Sequence, residues 1–551
     1  MSIFYKKAPS FTYPIASFLH LCYFPDVQSS GHLIRFINST GPIGKLKRNL
    51  FQGGKLKLKK SIKYFTAATT IAAMLTGACS AITVQAANPY MPLWEHVADA
   101  EPHVFTDPET GEERVYVYGS HDITRTNYCG PNYVVWSAPV DDLTDWTYHG
   151  VCYEVEDDGL LFAPDVCQGP DGKFYMYTMG PATGFKSDVL VADSPTGPFQ
   201  LLQHDIGVGF DPAVLVDDDE KVYVYSSGDN GSQVMVMDSD MQTVLEQHDM
   251  VNDEDGGPVQ NFYEGSSIRK VADDMYVFVY CSHRENDPEY VAQTLHGQAH
   301  DYRGLLEYSY SDNPIGPWTY GGILIDNGGE MIQDGTKGYY EGSGDYYYGT
   351  RRTYYDGNIH GGMEEINGQW YIFYHKQTNN SEYSRQACAE PLDLKIEDGK
   401  LVIEQAEMTS QGVETDGLDP LKTQPAGLAC YLTNGAYITS GYEENPDYNP
   451  IVNLRNGAVA GIKYLNFGDA SEYTLNLSVM PKGQAGKIAV KLDDPASDPV
   501  AMVEVSGDAS EEFQQLTTNV GTIEGTHALF FVFYAEGEGE ICEFNDFTFT
   551  K

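Results

Sequence analysis

The sequence predicts an all-β chain, a five-bladed β-propeller followed by a jelly-roll-like β-sandwich, and three observations predict it. The composition sets 40 Tyr and 24 Phe against 5 Trp, with 55 Gly and 28 Pro, which favours many short strands and turns over long helices. A strand–turn–strand pattern recurs five times between Glu101 and Gln377. After Met408 that pattern gives way to a polar connector and then to about eight short alternating runs. At 551 residues the chain is also too long for a single core, so two or more domains are expected.

Residues 1–87 are read as a leader that does not belong to the fold. From Lys55 the chain runs KLKLKKSIKY, then FTAATTIAAMLTGACSAITV, then QAAN. A basic start, an apolar stretch and small residues at Ala86 and Ala87 have the order of a secretory signal peptide. Thr, Ser and Gly dilute the apolar stretch and no stop-transfer charges follow, which argues against a membrane anchor. A secreted protein that does not stay in the membrane is therefore expected. Past Ala86 the cysteines are Cys129, Cys152, Cys167, Cys281, Cys388, Cys430 and Cys542. This odd, scattered set without a C-x-x-C argues against both a disulfide framework and a zinc site, and predicts buried thiols.

The repeat reads EPHVFTDPETGEERVYVYGSHD from Glu101, APDVCQGPDGKFYMYTMG from Ala163, DPAVLVDDDEKVYVYSSG from Asp211, EGSSIRKVADDMYVFVYCSH from Glu264 and HGGMEEINGQWYIFYHKQ from His360. Each segment opens on a residue followed by Pro or Gly, passes a short apolar run and a polar turn, and ends in a strand with alternating aromatics. In three of them the aromatic pair falls at the same offset from the opener: Tyr175 and Tyr177, Tyr223 and Tyr225, Tyr276 and Phe278. Each unit is a β-hairpin, and spaced repetition of hairpins is the sequence signature of radially repeated sheets. In the third unit, Asp217–Asp219 falls at the hairpin turn, so it is read as a solvated turn and not as a metal loop.

Equivalent positions of a radial repeat face one axis. The five openers are Glu101, Ala163, Asp211, Glu264 and His360, of which three are carboxylates. Packing alone needs no ring of acids, and like charges so close raise one another's pKa, so these residues mark the candidate site. The formal net charge of −45 disfavours nucleic acid and anionic lipid as partners and leaves a neutral ligand.

On these residues the chain resembles glycoside hydrolase family 43, from about Pro89 to Met408. GFDPAVLVDDDEKVYVY resembles the stretch that holds the family's pKa-tuning Asp, and FYEGSSIRK the stretch that holds its general acid. The resemblance thus implies Asp211 as the tuning residue and Glu264 as the acid. The family's first unit normally begins Asp-Pro, with that Asp as general base. Here the position is Glu101-Pro102, so Glu101 is the expected base, with Asp122 in GSHD as fallback and Asp165 third. HGGMEEINGQWYIFYH resembles the last-unit motif and places His360 in the axial channel, where relatives hold a water-bound calcium or similar ion. Catalysis is expected to need no cofactor. The implied activity is removal of terminal α-L-arabinofuranosyl or β-D-xylosyl units from plant cell-wall polysaccharide with inversion, which calls for carboxyls roughly 6.5–9.5 Å apart. A sugar-binding propeller that has lost its base is the alternative. Arg351, Arg352 and Arg269 stay outside the catalytic set, the last as a structural residue.

Residues 88–408 are thus assigned to the propeller and residues 409–426 to a connector. From residue 427 to residue 551, NLRNGAVAGIKYLNFG, GKIAVKLD, GTHALFFVFY and FNDFTF follow the order of a family 6 carbohydrate-binding module. Such modules stack sugar rings on aromatics, yet no Trp lies beyond Trp370, and Asp546 stands in the closing strand where relatives carry one. Tyr464 and Tyr448 are the substitutes considered.

Overall fold

The computed structural model describes residues 87–551 apart from residues 109, 124–125, 156–158, 285–290, 296–297, 302, 333–336, 341–344, 349–350 and 356. The predicted leader and signal peptide lie outside the described residues, save Ala87. Among the described residues no helix is long and apolar enough to cross a membrane.

Five antiparallel sheets follow one another along the chain. The first runs through Val97–Thr106, Glu113–His121, Asn132–Pro139 and Thr147–Glu154, and the second through Phe162–Gln168, Phe174–Met179, Asp188–Ala192 and Gln200–Gln203. The third comprises Ala213–Val216, Val222–Gly228, Gly231–Met237 and Val244–Asp249. The fourth comprises Phe262–Ala272, Met275–Ser282, Leu305–Ser311 and Thr319–Asp326, and the fifth has three strands, Met363–Ile366, Gln369–Gln377 and Arg385–Leu392. The first strands of the five sheets touch in cyclic order, the fifth returning to the first.

Apolar layers between the sheets hold this cycle together. On the strand Phe174–Met179, alternate residues serve different neighbours: Phe174 and Met176 pack with Tyr116 and Val135 of the first sheet, while Tyr175 and Tyr177 pack with Val222 and Val224 of the third. Tyr223 and Tyr225 meet Tyr276 and Phe278, Val277 and Val279 meet Ile372 and Tyr374, and Phe373 and Ala387 meet Val117 and Trp136. Because both faces of each sheet are covered, the middle strands carry apolar or aromatic residues at consecutive positions, such as Val115–Tyr118 and Met275–Tyr280. Burying one such side chain contributes about 1.5–3 kcal/mol. The N-terminal segment flanks the outermost strand of the three-stranded sheet: the Tyr90 amide donates to the Ala387 carbonyl at 3.2 Å and Asn88 Nδ2 to Ala389 O at 3.1 Å.

Residues after 423 build two further sheets. One orders Tyr437–Ile438, Ile451–Leu454, Cys542–Thr550, Ser471–Pro481 and Gln514–Ile523. The other orders Tyr431–Leu432, Val459–Asn466, Thr526–Tyr534, Gly486–Leu492 and Ala501–Val505. Phe531 packs on Phe544 and Phe547 between them, with centroids 4.8 and 5.3 Å apart. The end of the predicted connector is already part of this region, since Gln424–Pro425 pairs with Phe547 and Asp546. The core of the fourth and fifth sheets continues into this region without a break. At the junction buried Lys376 donates Nζ to the carbonyls of Gly427 at 3.2 Å and Ala429 at 3.1 Å, and burial lowers its pKa. All seven cysteines from Cys129 onward are buried free thiols, as the scattered spacing predicted.

Candidate active site

The five repeat openers fall on or just before the first strands, which touch in cyclic order. They do not all converge on one group, because the strands are irregular there. The pairing of the first strand shifts register between Ala98 and Glu101. The residue at that irregularity, Asp99, takes a left-handed φ of +56°, as does Asp211 with φ +50°. Asp tolerates this region better than most side chains, at a cost of order 1 kcal/mol or more.

The Glu264 charge bears on Asp211. Burial and then the Glu264 charge hold the Asp211 carboxyl well above its ordinary range, and its Oδ2 accepts from the Gly265 amide at 3.1 Å. Burial raises Glu264 from 4.5 to about 7, with the Asp99 charge adding and the Arg303 and Arg385 charges opposing. Such a pair retains a proton near neutral pH. Gly265 itself has φ +75°, and a Cβ there would come within 3.1 Å of His360 Cγ.

Asp99 acts electrostatically on both members of that pair. Its carboxylate accepts from Arg385 Nη1 at 3.0 and 3.2 Å, and its amide donates to His375 Nδ1 at 3.2 Å. With Nδ1 an acceptor, the His375 proton sits on Nε2, which lies 2.8 Å from Asn358 O. Burial pushes Asp99 up, but the Arg385 guanidinium holds it below its ordinary value. Burial lowers His375 to about 3, so this imidazole stays neutral. Arg385 also grips Asp122, with Nε at 2.8 Å and Nη2 at 2.9 Å, and lies 5.1 Å from the Tyr128 ring centroid.

Glu101 stands in a different set of contacts. Its Oε2 accepts from Ser267 Oγ at 3.2 Å and from Arg269 Nη2 at 3.1 Å, and Arg269 in turn bonds Glu364 at 2.8 Å. Burial, then the charge of Asp165, raises Glu101 to about 8. Asp165 is tied by His103 Nε2 at 2.6 Å and by the amides of Val166 and Val214 at 2.7 Å each. The neighbours that act on Glu101 are thus Asp165 and Arg269, whereas Asp99 is the carboxylate that acts on Glu264 and Asp211. Asp122, the fallback base, is the partner of Arg385, and Asp165 has its lone pairs engaged. Arg269 bonds Glu101, Glu364 and the Ile268 carbonyl, and Arg352 pairs with Asp326 at 2.7 Å.

Aligned on the residue before Pro, the repeat points to Glu101 and passes over Asp99 and Arg385. The signal present was an extra acid two places before Glu101-Pro102. The register shift sets it beside Arg385.

His360 is buried, with Nε2 3.4 Å from Ser266 O. Among the described residues, the one cluster of three side chains close enough to share a metal is Glu101, His103 and Asp165, and His360 is not in it. Calcium takes six to eight oxygen donors, which an imidazole and one carbonyl do not supply. The residues around His360 therefore do not fit a calcium held directly by protein ligands. In the Glu101 cluster Arg269 already provides a cation.

The profile of Glycosyl hydrolases family 43 matches residues 109–401, and that of Carbohydrate binding module (family 6) matches residues 430–551. A xylosidase/arabinosidase of Thermoclostridium stercorarium is 32% identical over 516 residues, covering 83% of this chain and 98% of that protein. An arabinoxylan arabinofuranohydrolase of Paenibacillus polymyxa is 24% identical over 515 residues, covering 83% and 74% respectively. A solved family 43 arabinoxylan arabinofuranohydrolase of Bacillus subtilis, in complex with cellotetraose, aligns with TM-score 0.44 at 22% identity over 85% of this chain and 98% of that one.

Proposed function

The chain belongs to glycosyl hydrolases family 43 and is a glycosyl hydrolase of the arabinofuranosidase/xylosidase type, and from that premise we propose that it removes terminal pentose from hemicellulose with Asp99 as general base, Glu264 as general acid and Asp211 as the charge partner of Glu264. The ring of five sheets is read as a five-bladed propeller with this trio at one end of its axis, and the two C-terminal sheets as a jelly-roll-like sandwich. The observation that carries the assignment is the opposite displacement of two carboxyls: Glu264 is raised to about 7 while Asp99 is held below its ordinary value. Environments that push two carboxyls apart define an acid and a base.

In the reaction so read, Asp99 takes a proton from water on one face of the sugar, and Glu264 delivers its proton to the leaving oxygen on the other. Inversion requires the water to fit between base and anomeric carbon. Arg385 fixes the Asp99 carboxylate and keeps it ionised, while burial and the Asp99 charge favour the proton on Glu264. The electron-poor sugar of the transition state gains from the negative pocket. Family 43 hydrolysis needs no catalytic cofactor. Secretion is part of this reading and rests on the leader sequence.

The C-terminal domain's sugar contact stays a lesser part of the proposal. The Tyr464 hydroxyl donates to Glu407 at 2.8 Å and that of Tyr448 to Glu543 at 2.7 Å, so both substitutes for the missing Trp are tethered.

The test is nitrophenol release from aryl α-L-arabinofuranoside and aryl β-D-xyloside by the mature chain. Asp99→Asn and Glu101→Gln are compared side by side. Loss of about 10²–10⁴-fold in kcat with Asp99→Asn but not Glu101→Gln supports the assignment. The reverse result returns the base to Glu101.

A further inference from the structure

The loop between the second and third strands of the fifth sheet supplies one wall of the site. Glu382 on this loop acts on Glu264, accepts from the Tyr128 hydroxyl and precedes Tyr383, whose ring meets Tyr128 edge-on at 4.7 Å. The loop closes on itself through the Thr378 amide and the Ser384 carbonyl at 2.8 Å. Further anchors come from the second domain. The Asn379 amide donates to Ile438 O at 2.7 Å, and Asn379 Oδ1 accepts from Thr439 Oγ1 at 3.0 Å and the Ser440 amide at 2.9 Å.

Tyr442, in the same segment, touches two parts of the site's frame. Its hydroxyl is 2.5 Å from Ser384 Oγ, one residue before Arg385. Its ring stacks on His96, three residues before Asp99, with centroids 4.1 Å apart and planes at 20°. The residue holds a left-handed φ of +53°, a conformation that a bulky side chain keeps only where its surroundings enforce it. One ring from the C-terminal domain thus joins the backbone segments that deliver Arg385 and Asp99.

We propose that Tyr442, with Asn379 beside it, is a positioning residue for hydrolysis, so that the C-terminal domain completes the catalytic site instead of serving only to hold polysaccharide. This rests on Asp99 as base and Arg385 as its partner. A misplacement of about 1 Å at a catalytic group costs on the order of 10²-fold in rate. Loosening Arg385 also removes the cation nearest Asp99, which is otherwise faced by His375, His360, Asp211, Glu264 and, through Arg385, Asp122.

The experiment uses the full mature chain with Tyr442→Phe, Tyr442→Ala, Ser384→Ala and the double variant Tyr442→Phe/Ser384→Ala. Tyr442→Ala is expected to lower kcat on an aryl pentoside about 10–100-fold with KM within about threefold, to move the acid limb of the pH profile upward, and to lower activity on soluble arabinoxylan by the same factor. Tyr442→Phe and Ser384→Ala should each lose less, and the double variant no more than the worse single, since both break one contact. If Tyr442→Ala does not fold, the Phe, Ser and double variants carry the test. Folded variants with unchanged kcat and pH profile overturn the proposal, as does a loss confined to the polymer, which would make the domain a sugar anchor. Asp99→Asn separates the premises: if it stays active the base assignment fails, whereas if it is inactive and the Tyr442 series is silent, only the positioning role fails.

Discussion

Replacing Glu101 by Gln should make the protein more stable relative to wild type as pH rises, without removing its activity. Glu101 is buried, and burial together with the Asp165 charge raises its carboxyl from 4.5 to about 8. The unfolded chain releases this proton near 4.5, whereas the folded chain holds it until about 8. Over that window the native state binds more protons, so stability falls as pH rises. Between pH 5 and pH 8 the linkage amounts to about 3–4 kcal/mol; below pH 4.5 both states are protonated and nothing is lost. A Gln keeps an oxygen for Ser267 and Arg269 but does not titrate. The assay is urea denaturation of both proteins at pH 5 and pH 8, read by intrinsic fluorescence. The difference in unfolding free energy should shift in favour of the variant by roughly the linkage value. Parallel pH dependences would refute the reasoning, since Glu101 would then be ionised at ordinary pH and the cluster of Asp165, His103 and Arg269 would be doing something other than holding a proton.

Further outcomes follow from the same geometry. With Glu264 raised to about 7 and needed protonated, kcat/KM should fall as pH climbs through about 7, in a stopped assay of nitrophenol release. Arg303 opposes that elevation, so Arg303→Met should move the alkaline limb upward, while Glu382→Gln, which removes an assisting charge, should move it downward. Lys376→Met should destabilise by about 2–4 kcal/mol, measured by chemical denaturation, because two buried carbonyls at the domain junction lose their donor.

Much of the architecture was legible in the sequence because one physical unit is repeated. Each hairpin must cover both faces of its sheet with its neighbours, so aromatics recur at fixed offsets, as Tyr175, Tyr223 and Tyr276 do. Asp211 and Glu264 were legible for the same reason, each at the head of a unit. The polar run at Asp217–Asp219 is the turn it was read as: Asp217 Oδ1 and Oδ2 accept from Lys270 at 2.7 Å and Tyr276 at 2.6 Å. The sequence by itself thus determined the all-β character, the repeat, the buried thiols and the place of Asp211 and Glu264 at the heads of their units.

In the proposed assignment, only the tertiary structure distinguishes Asp99 from Glu101 in the first unit. A register shift between Ala98 and Glu101 turns Asp99 toward Arg385 and the Glu264 pair and Glu101 toward Arg269. That shift is a property of strand pairing across the sheet, and no local pattern encodes it. The bridge from Tyr442 to Ser384 likewise joins residues 58 positions apart in two different domains, a juxtaposition that exists only once the continuous core of the fifth sheet and the sandwich has formed. Periodicity records what each strand must bury, whereas a site depends on where side chains from separate strands arrive, and that is set by packing between elements.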